Sequence, residues 1–350
     1  MKRYVVTGGV GFIGSALCYR LLSDGDAEVV VVDRMTYAAN TVTLDRLQAK
    51  RGFRHVEADI CDTAKMIDVV RSVEPDTVFH LAAETHVDRS IDGPAEFITS
   101  NVVGTYSMLE ASRAYWAPLK GDAAERFRFI HISTDEVFGS LGAEGHFSET
   151  TRYDPTSPYS ASKAGSDHLA RAWNRTFGLP VIVSNCSNNY GPRQFPEKLI
   201  PLMILNALEG KPLPVYGTGE NVRDWLHVED HAAALCMMAE RGAPGEIYCV
   251  GGGVERTNLQ IVHEVCRILD ARRPAGAPHA DLIEFVKDRP GHDFRYAIDA
   301  SKIQNEFAWS PMHNFASGLE QTVDWYLSNE DWWRPLREKR YSGERLGTRV

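Results

Sequence analysis

The stretch Thr7-Gly8-Gly9-Val10-Gly11-Phe12-Ile13-Gly14 decides the fold. It follows the apolar segment Tyr4-Val5-Val6 directly and opens a helical pattern that begins at Ser15. Glycines at positions 8, 11 and 14 permit a tight turn and let the backbone approach a pyrophosphate closely. The anion then lies at the positive end of the following helix. In this strand-to-helix context, the stretch predicts a dinucleotide-binding turn.

Short Val-rich segments recur beyond this turn, with helix-like stretches between them. They are Tyr4-Val5-Val6, Glu28 to Val32, Thr77 to His80 and Arg128 to Ile132, followed by Pro180 to Val183 and Glu246 to Val250. Alternating strands and helices are typical of βαβ units. The sequence therefore predicts an α/β fold, a Rossmann-type doubly wound parallel sheet with a smaller C-terminal substrate-binding domain.

The length of 350 residues favours a large domain plus a smaller one. From about residue 189 the chain becomes rich in Pro and Gly, which indicates a change of domain. We predict an NAD-binding domain over 1–188, joined by a returning strand near 246–250, and a sugar-nucleotide-binding domain over 189–330. Residues 331–350 are polar and Arg-rich without clear periodicity, and we interpret them as a C-terminal tail.

Charge and cysteine content exclude several classes of protein. The formal net charge is −9 and comes from dispersed acids, and no run of Lys and Arg interleaves with aromatics, so we expect no nucleic-acid partner. The six cysteines form no C-x-x-C pair and lie mostly in apolar stretches, as buried reduced thiols do. With no signal-peptide pattern and no membrane-length apolar run, we expect a cytoplasmic enzyme.

Asp33 indicates the cofactor, because it closes the second strand 19 residues beyond Gly14. A carboxylate at this point can accept hydrogen bonds from the adenosine ribose hydroxyls, which favours NAD over NADP. Arg34 is discordant, since an arginine there could hold a 2′-phosphate. Residues after the next two strands should border the same crevice, and they are Asp59, Ile60, Leu81, Ala82 and Ala83.

Tyr159 and Lys163 stand four residues apart, on one face of a predicted helix. A phenol has a pKa near 10, and a cation within roughly 4–6 Å can lower it by about 1–3 units. We therefore expect Lys163 to bring Tyr159 toward the range of a useful base, with the nicotinamide charge assisting. The spacing alone is common in helices, and the upstream glycine turn gives it weight.

Thr134, Asp135 and Glu136 follow the strand Arg128 to Ile132 at its carboxyl end, where α/β enzymes assemble their chemistry. Thr134 is placed to bond a substrate oxygen. Adjacent carboxylates can serve as an acid and a base if burial and mutual repulsion separate their pKa values. That division suits a dehydration, but the residues alone do not assign which carboxylate is the acid.

Seven segments together resemble dTDP-glucose 4,6-dehydratases of the extended short-chain dehydrogenase/reductase family. They are TGGVGFIG, LAAETHVDRSID, STDEVFG, YSASKAGSDHL, SNNYGP, NVRDWLHVED and DRPGHDFRYAID, and they span residues 7 to 299. The glycine turn and the Tyr-x-x-x-Lys element mark only the superfamily, whereas Thr134-Asp135-Glu136 is specific. The resemblance implies a hydro-lyase that uses NAD and no metal to convert dTDP-glucose to dTDP-4-dehydro-6-deoxy-glucose.

The resemblance also implies roles for the catalytic residues. Tyr159 deprotonates the glucose 4-hydroxyl, steadied by Thr134, while hydride passes from C4 to NAD. Glu136 then removes the C5 proton, Asp135 protonates the departing C6 hydroxyl, and the hydride returns to C6. The cofactor ends unchanged, so we expect NAD to stay bound throughout turnover.

Family positions add further binding residues. Near the cofactor the resemblance implies Gly8, Gly11, Phe12, Ile13, Gly14, Ser100, Tyr159, Lys163 and Asn189, besides the crevice residues named above. Near the substrate it implies Thr85, Thr134, Asn188, Lys198, Leu199, Pro214, Tyr216, Arg223, Asn258, Arg289 and His292. Thr85 stands where serine is commoner in the family, and the change keeps a hydroxyl. Arginines at these positions suit bidentate phosphate binding.

The same residues are compatible with several other functions. The same scaffold serves NDP-sugar 4-epimerases and UDP-sugar decarboxylases, although Asp135 and Glu136 argue against an epimerase. A 4,6-dehydratase for UDP-glucose or CDP-glucose is harder to exclude, and a non-catalytic dinucleotide sensor would not need the catalytic side chains. His227 and His231 stand four residues apart, but the Glu is misplaced for H-E-x-x-H and no third ligand is evident, so we predict no metal.

Two helical segments predict a homodimer. They cover Asn101 to Arg113 and Tyr159 to Arg175, and both carry enough apolar positions to pack outward in a four-helix interface. The family is typically dimeric, which agrees with this expectation.

Overall fold

The structure, a computed structural model, describes residues 1–343 and 346. Its strands are β1 (Lys2–Thr7), β2 (Ala27–Asp33), β3 (Phe53–Glu57), β4 (Thr77–His80), β5 (Arg128–Thr134), β6 (Val181–Cys186), β7 (Asn188–Tyr190), β8 (Leu213–Tyr216), β9 (Val222–His227), β10 (Ile247–Val250), β11 (Glu255–Thr257) and β12 (Ile283–Val286). The main sheet has seven strands in the spatial order β3-β2-β1-β4-β5-β6-β10. All its pairs are parallel, including the returning strand β10 against β6. The Rossmann-type prediction is confirmed, because the strand order reverses beside β1 as in doubly wound sheets.

Helices cover this sheet and continue into the C-terminal part of the chain. They are α1 (Phe12–Leu21), α2 (Thr41–Gln48), α3 (Thr63–Val73), α4 (Val87–Asp92), α5 (Pro94–Phe97), α6 (Gly104–Trp116), α7 (Gly121–Arg126), α8 (Pro158–Phe177), α9 (Leu199–Leu208), α10 (Val228–Arg241), α11 (Asn258–Arg272), α12 (Ser301–Phe307), α13 (Phe315–Ser328) and α14 (Glu330–Lys339). A π-helix over Ile98–Val103 leads into α6, and a 3-10 turn over Asp135–Phe138 follows β5. No helix within the described ranges combines the length and apolar character needed to cross a membrane.

Strand β2 explains why both faces of the sheet are covered. Side chains alternate along a strand, and this strand is a continuous Val run. Val29 and Val31 pack on one face of the sheet with residues of α1 and α10, whereas Val30 and Val32 pack on the other face with residues of α3 and α6. The sheet is therefore buried on both sides, and polar side chains reach solvent chiefly at the strand ends.

A second hydrophobic cluster lies in the C-terminal part, built around helices α9, α11 and α13. Its buried residues include Met203, Val215, Ile261 and Tyr326. The short sheets β11-β9-β7 and β12-β8 lie in the same part of the chain. Because β7 follows β6 directly, this cluster adjoins the carboxyl ends of the main sheet.

Residues 330–339 form a helix, although the sequence predicts only a tail for 331–350. Trp332, Trp333 and Leu336 are buried in the second cluster, and Trp332 also donates from Nε1 to Thr43 Oγ1 at 2.8 Å. Pro335 and the surrounding charged residues interrupt the apolar pattern, so the sequence does not predict this helix. The rest of the predicted tail, residues 344, 345 and 347–350, lies outside the described residues.

Candidate active site

The glycine turn between β1 and α1 forms the first part of the site. Gly8 has φ +69°, and a Cβ on Gly14 would lie 2.2 Å from the Gly8 carbonyl oxygen. Gly11 caps α1 without a side-chain hydrogen bond. The first N–H groups of α1 are therefore not satisfied by a capping side chain, which is the arrangement that binds an anion at a helix N-terminus.

A cavity of about 300 Å³ opens beside this turn. It is lined by almost all of the predicted cofactor residues, which are Gly8, Gly11, Phe12, Ile13, Gly14, Asp33, Ile60, Leu81, Ala82, Ala83, Ser100, Tyr159, Lys163 and Asn189. Asp59 is the predicted residue that does not line it. Its carboxylate instead pairs with Arg34 Nη1 at 3.1 Å.

Asp33 and Arg34 are adjacent in the chain, but their side chains have different partners. Asp33 accepts N–H groups from Val10 at 3.1 Å and Met35 at 3.0 Å; burial raises its pKa, and these bonds oppose the rise. Arg34 forms salt bridges with Asp59 and, at 3.0 Å, with Glu84. Because Arg34 is already paired with two carboxylates, its position beside Asp33 does not argue for a 2′-phosphate.

Helix α8 places Tyr159 and Lys163 in the same cavity. A capping box between Ser157 and Ser160 fixes the start of the helix, so both side chains are set by its first turns. Both are buried, and Lys163 Nζ donates to the Ile132 carbonyl at 2.7 Å.

The pKa of Tyr159 moves in the opposite direction to the sequence prediction. Burial, followed by the negative charge of Glu136, raises it well above its ordinary value. Burial also lowers the pKa of Lys163. Enclosure of the phenol in the protein therefore outweighs the effect expected from Lys163.

Thr134, Asp135 and Glu136 lie where β5 ends. Thr134 Oγ1 donates to Asp135 Oδ1 at 3.3 Å and accepts the Glu136 N–H at 3.3 Å. Asp135 Oδ2 is enclosed and has no hydrogen-bond partner among the described residues. The two carboxylates consequently sit in unlike surroundings.

Burial raises the pKa values of both carboxylates, but the charges around the two groups differ. Burial raises that of Asp135 well above its ordinary value, and the charges of Glu136 and Asp224 add to the rise. Burial also raises the pKa of Glu136, but the cations Arg289, Arg223 and Lys198 oppose this. Asp135 is therefore the group that holds a proton more tightly, and Glu136 is the one more readily ionised.

A second cavity, of about 450 Å³, meets the first. It is lined by the predicted substrate residues Thr85, Asn188, Lys198, Leu199, Pro214, Tyr216, Arg223, Asn258, Arg289 and His292. Thr134 lines the first cavity instead. Thr85, Glu136, Asn188, Glu197 and Lys198 line both cavities, so Glu136 lies at their junction.

The cations of the second cavity are only partly neutralised. Arg223 donates to the carbonyls of Val222 at 2.7 Å and Asp293 at 3.0 Å, and Lys198 donates to the Thr85 carbonyl at 2.9 Å. Carbonyl oxygens orient these cations without cancelling their charge. The cavity therefore suits an anionic ligand such as a nucleoside diphosphate.

Sequence reasoning missed two acidic residues of this cavity. Asp88 accepts from Arg289 Nη1 at 2.6 Å and from the Tyr216 hydroxyl at 2.9 Å. Glu197 pairs with Arg89 at 2.8 Å. Asp88 lies in the quoted segment LAAETHVDRSID and Glu197 stands beside Lys198, so position near a motif was the only available signal.

The histidines considered for a metal take part in hydrogen bonds. His231 Nδ1 contacts Asn189 Oδ1 at 3.0 Å, and burial lowers its pKa to about 3. His227, Glu229 and His313 bring ligand atoms within 4.8 Å of one another, but the two rings are stacked 3.9 Å apart with an interplanar angle of 23°. Ring lone pairs lie in the ring planes, so this stacking does not direct them to a common point, and the absence of a metal stays a prediction.

Comparisons with known proteins agree with this site. The family model described as GDP-mannose 4,6 dehydratase matches residues 5–322. The chain is 57% identical over 345 residues to a probable dTDP-glucose 4,6-dehydratase of Sinorhizobium fredii, covering 99% of this chain and 98% of that protein.

Two solved structures are also similar to the chain. The dTDP-glucose 4,6-dehydratase of Bacillus anthracis in complex with NAD has a TM-score of 0.85 at 41% identity, covering 96% of this chain and all of that one. The UDP-glucuronic acid 4-epimerase of Bacillus cereus in complex with UDP-glucuronic acid and NAD has a TM-score of 0.82 at 29% identity, with coverage of 93% and 99%. The scaffold is thus shared with epimerases, and the Thr134-Asp135-Glu136 site has to distinguish them.

Proposed function

The chain belongs to the dTDP-glucose 4,6-dehydratase family, and we propose from this how its own residues carry the reaction. It is an NAD-dependent hydro-lyase that converts dTDP-glucose to dTDP-4-dehydro-6-deoxy-glucose. The observation that carries the proposal is the carboxylate pair Asp135 and Glu136 at the end of β5, with Asp135 in the first cavity and Glu136 at the junction of the two cavities. A dehydratase needs an acid and a base together, whereas a 4-epimerase does not expel a hydroxyl.

The residues of the first cavity fit NAD. The turn at Gly8 and Gly14 leaves no room for a Cβ, and the start of α1 offers N–H groups to a pyrophosphate. Asp33 lines the cavity and would accept the ribose hydroxyls. NAD, when bound, would accept a hydride and return it within the same turnover, and its nicotinamide ring would carry a positive charge.

Tyr159 and Thr134 act on the sugar 4-hydroxyl. We assign Tyr159 as the base that removes its proton and Thr134 as the hydroxyl that orients its oxygen. Lys163, one turn along α8, lines the same cavity and supplies a cation there. Burial raises the pKa of Tyr159, and positive charge near the phenol would favour its ionised form, which is the form that accepts a proton.

Glu136 and Asp135 divide the elimination of water between them. Once the sugar carries a 4-keto group, its C5 proton is acidified, and Glu136 is the carboxylate able to take it. Asp135, whose pKa is raised by burial and by the charges of Glu136 and Asp224, holds the proton that the departing C6 hydroxyl needs. The electrostatics of the site thus support the same assignment of acid and base that the family resemblance implies.

We also propose the division into a cofactor domain over 1–188 and a sugar-nucleotide domain over 189–330. The first includes the seven-stranded sheet apart from β10, and the second contains most of the second hydrophobic cluster. The six cysteines are free, which supports a cytoplasmic protein.

A homodimer is proposed through the outward faces of the π-helix, α6 and α8. Ile98, Val103, Tyr106 and Phe177 are 43–50% exposed there. The Trp173 ring lies 5.9 Å from the Tyr106 ring and 5.5 Å from the Phe177 ring, so these three aromatic residues form one group. Large exposed apolar patches mark interfaces.

Sedimentation should give a dimer for the native chain and a monomer for Val103→Glu. Met312→Glu changes another exposed apolar residue and should remain dimeric.

The substrate test presents dTDP-glucose, UDP-glucose and CDP-glucose separately to the protein with NAD and follows each by mass. We expect dTDP-glucose to lose the mass of one water molecule far faster than the other two. Faster loss from UDP-glucose or CDP-glucose would reassign the nucleotide while keeping the dehydratase. Unchanged mass with a galactose-configured product would identify a 4-epimerase and refute the roles of Asp135 and Glu136.

A further inference from the structure

Arg193 is a cation in the first cavity that neither the motifs nor the mechanism uses. It lines this cavity together with Gly11, Phe12 and Ile13 of the glycine turn. Its backbone has φ +70°, a left-handed conformation that side chains other than glycine rarely adopt. Such conformations persist where the surrounding structure enforces them, often at binding sites.

The neighbouring residue shows how the backbone of Arg193 is held. The Gln194 side-chain amide donates to the Asn189 carbonyl at 3.0 Å, and its own carbonyl accepts the Tyr326 hydroxyl. Asn189 also lines the cavity. These two hydrogen bonds hold the segment after β7 in place, and the backbone of Arg193 lies within it.

The guanidinium of Arg193 lies over the Tyr19 ring of α1, 4.7 Å from its centroid. Its Nε is enclosed and has no hydrogen-bond partner within residues 1–343 and 346. Burial lowers its pKa, and the nearby charge of Glu229 acts on it without a hydrogen bond. An enclosed cation whose Nε–H has no partner is costly unless an anion completes its surroundings.

We propose that Arg193 is a cofactor-binding residue that donates to the pyrophosphate of NAD. The proposal rests on the proposed function, which places NAD in this cavity, and the pyrophosphate of NAD carries two negative charges. The turn and the start of α1 supply backbone N–H groups, whereas Arg193 supplies full positive charge and a planar fork suited to phosphate oxygens. In a chain of net charge −9, such a local cation offsets the general repulsion of a dinucleotide.

The test measures dissociation constants of nucleotide-free protein by calorimetry for NAD, ADP-ribose and adenosine. ADP-ribose keeps the pyrophosphate and lacks nicotinamide, whereas adenosine lacks both. Arg193→Gln should weaken NAD and ADP-ribose about tenfold or more, as loss of a charged hydrogen bond does, and leave adenosine unchanged. Arg193→Lys keeps the charge without the fork and should lose less.

Arg46→Gln is the matched control. Arg46 acts on Arg193 electrostatically but pairs with Asp331 at 2.9 Å, and it is not among the residues lining the cavity. We expect it to change NAD affinity by about twofold at most, because exposed charges are screened. Thermal unfolding checks that each variant is folded; if Arg193→Gln is not, the contrast between ADP-ribose and adenosine is read on Arg193→Lys.

Two results would overturn the proposal. One is an unchanged affinity of the Arg193 variants for ADP-ribose, and the other is an equal loss for adenosine, which would place Arg193 in the nucleoside pocket. Failure of the native protein to bind NAD at all would instead refute the proposed function, so the two failures are distinguishable.

Discussion

Replacing Glu136 by Gln tests the division of labour between the two carboxylates. Gln keeps the shape of Glu136 but cannot accept the C5 proton. General-base catalysis contributes about 10²–10⁴-fold, which is about 2.7–5.5 kcal/mol in the barrier, so we expect kcat to fall within that range. Glu136 also faces Arg289, Arg223 and Lys198. Removing its charge leaves those cations more available to a diphosphate, and KM should not rise.

The assay follows water loss from dTDP-glucose by mass over a range of substrate concentrations, which separates kcat from KM. Glu284→Gln is the control, because it makes the same change at an exposed carboxylate on β12. A fall of kcat for Glu136→Gln of less than about threefold, or a rise in KM at unchanged kcat, would refute the assignment of Glu136 as the base.

Three further outcomes follow from the same structure. The pH profile of kcat should be bell-shaped, because kcat should rise as Glu136 loses its proton and fall as Asp135 loses its own. Both limbs should lie above the ordinary pKa of a carboxyl group, since burial raises both pKa values. A flat profile would contradict this. Burial raises the pKa of Asp224 from 3.8 to about 6, so the folded state holds that proton more tightly than the unfolded state does. The unfolding free energy therefore falls as the pH rises from 4 to 6. Asp224→Asn should remove this loss, of order 3 kcal/mol, and denaturant melts at pH 4 and pH 7 should show its stability relative to the native chain increasing with pH. Gly14→Ala should weaken NAD binding at least about tenfold, since its Cβ would meet the backbone of Gly8 and Gly9 at 2.2 and 2.8 Å. Gly142→Ala should not, because no atom of the described residues would lie within 4 Å of its Cβ. Equal NAD affinities of the two variants would contradict the role of the turn.

The sequence was informative where function depends on local pattern. The glycine turn, the Val-rich strands and Asp33 are short-range features whose geometry follows from backbone conformation and strand periodicity, and the structure places them as expected. The two cavities likewise bring together nearly all of the predicted site residues. Motif spacing was sufficient to predict these site residues, because the carboxyl ends of parallel strands all lie at the same edge of the sheet.

Contacts between residues far apart in the chain could not be predicted from the sequence. Asp88 joins Tyr216 and Arg289, which are 128 and 201 residues away, and no local pattern encodes those pairs. Helix α14 was missed because its apolar residues find their partners only in the second hydrophobic cluster. Arg193 gained meaning only when its enclosure and its position in the cavity were visible.

Charge states depend on enclosure, which the sequence does not reveal. From the spacing alone, Lys163 was expected to lower the pKa of Tyr159, but burial and Glu136 raise it. The same reasoning could not decide between Asp135 and Glu136. Their difference comes from the cations and the carboxylate that tertiary structure places around each.

Identification of the reduced product tests the central claim most directly. The products from dTDP-glucose and NAD would be reduced with sodium borodeuteride, hydrolysed, and the sugars analysed by mass spectrometry. A 4-keto-6-deoxy product gives 6-deoxyhexoses with one deuterium at C4, and this is the result that we predict. Hexoses that keep the C6 oxygen would contradict the account, because no water would then have been eliminated by Asp135 and Glu136.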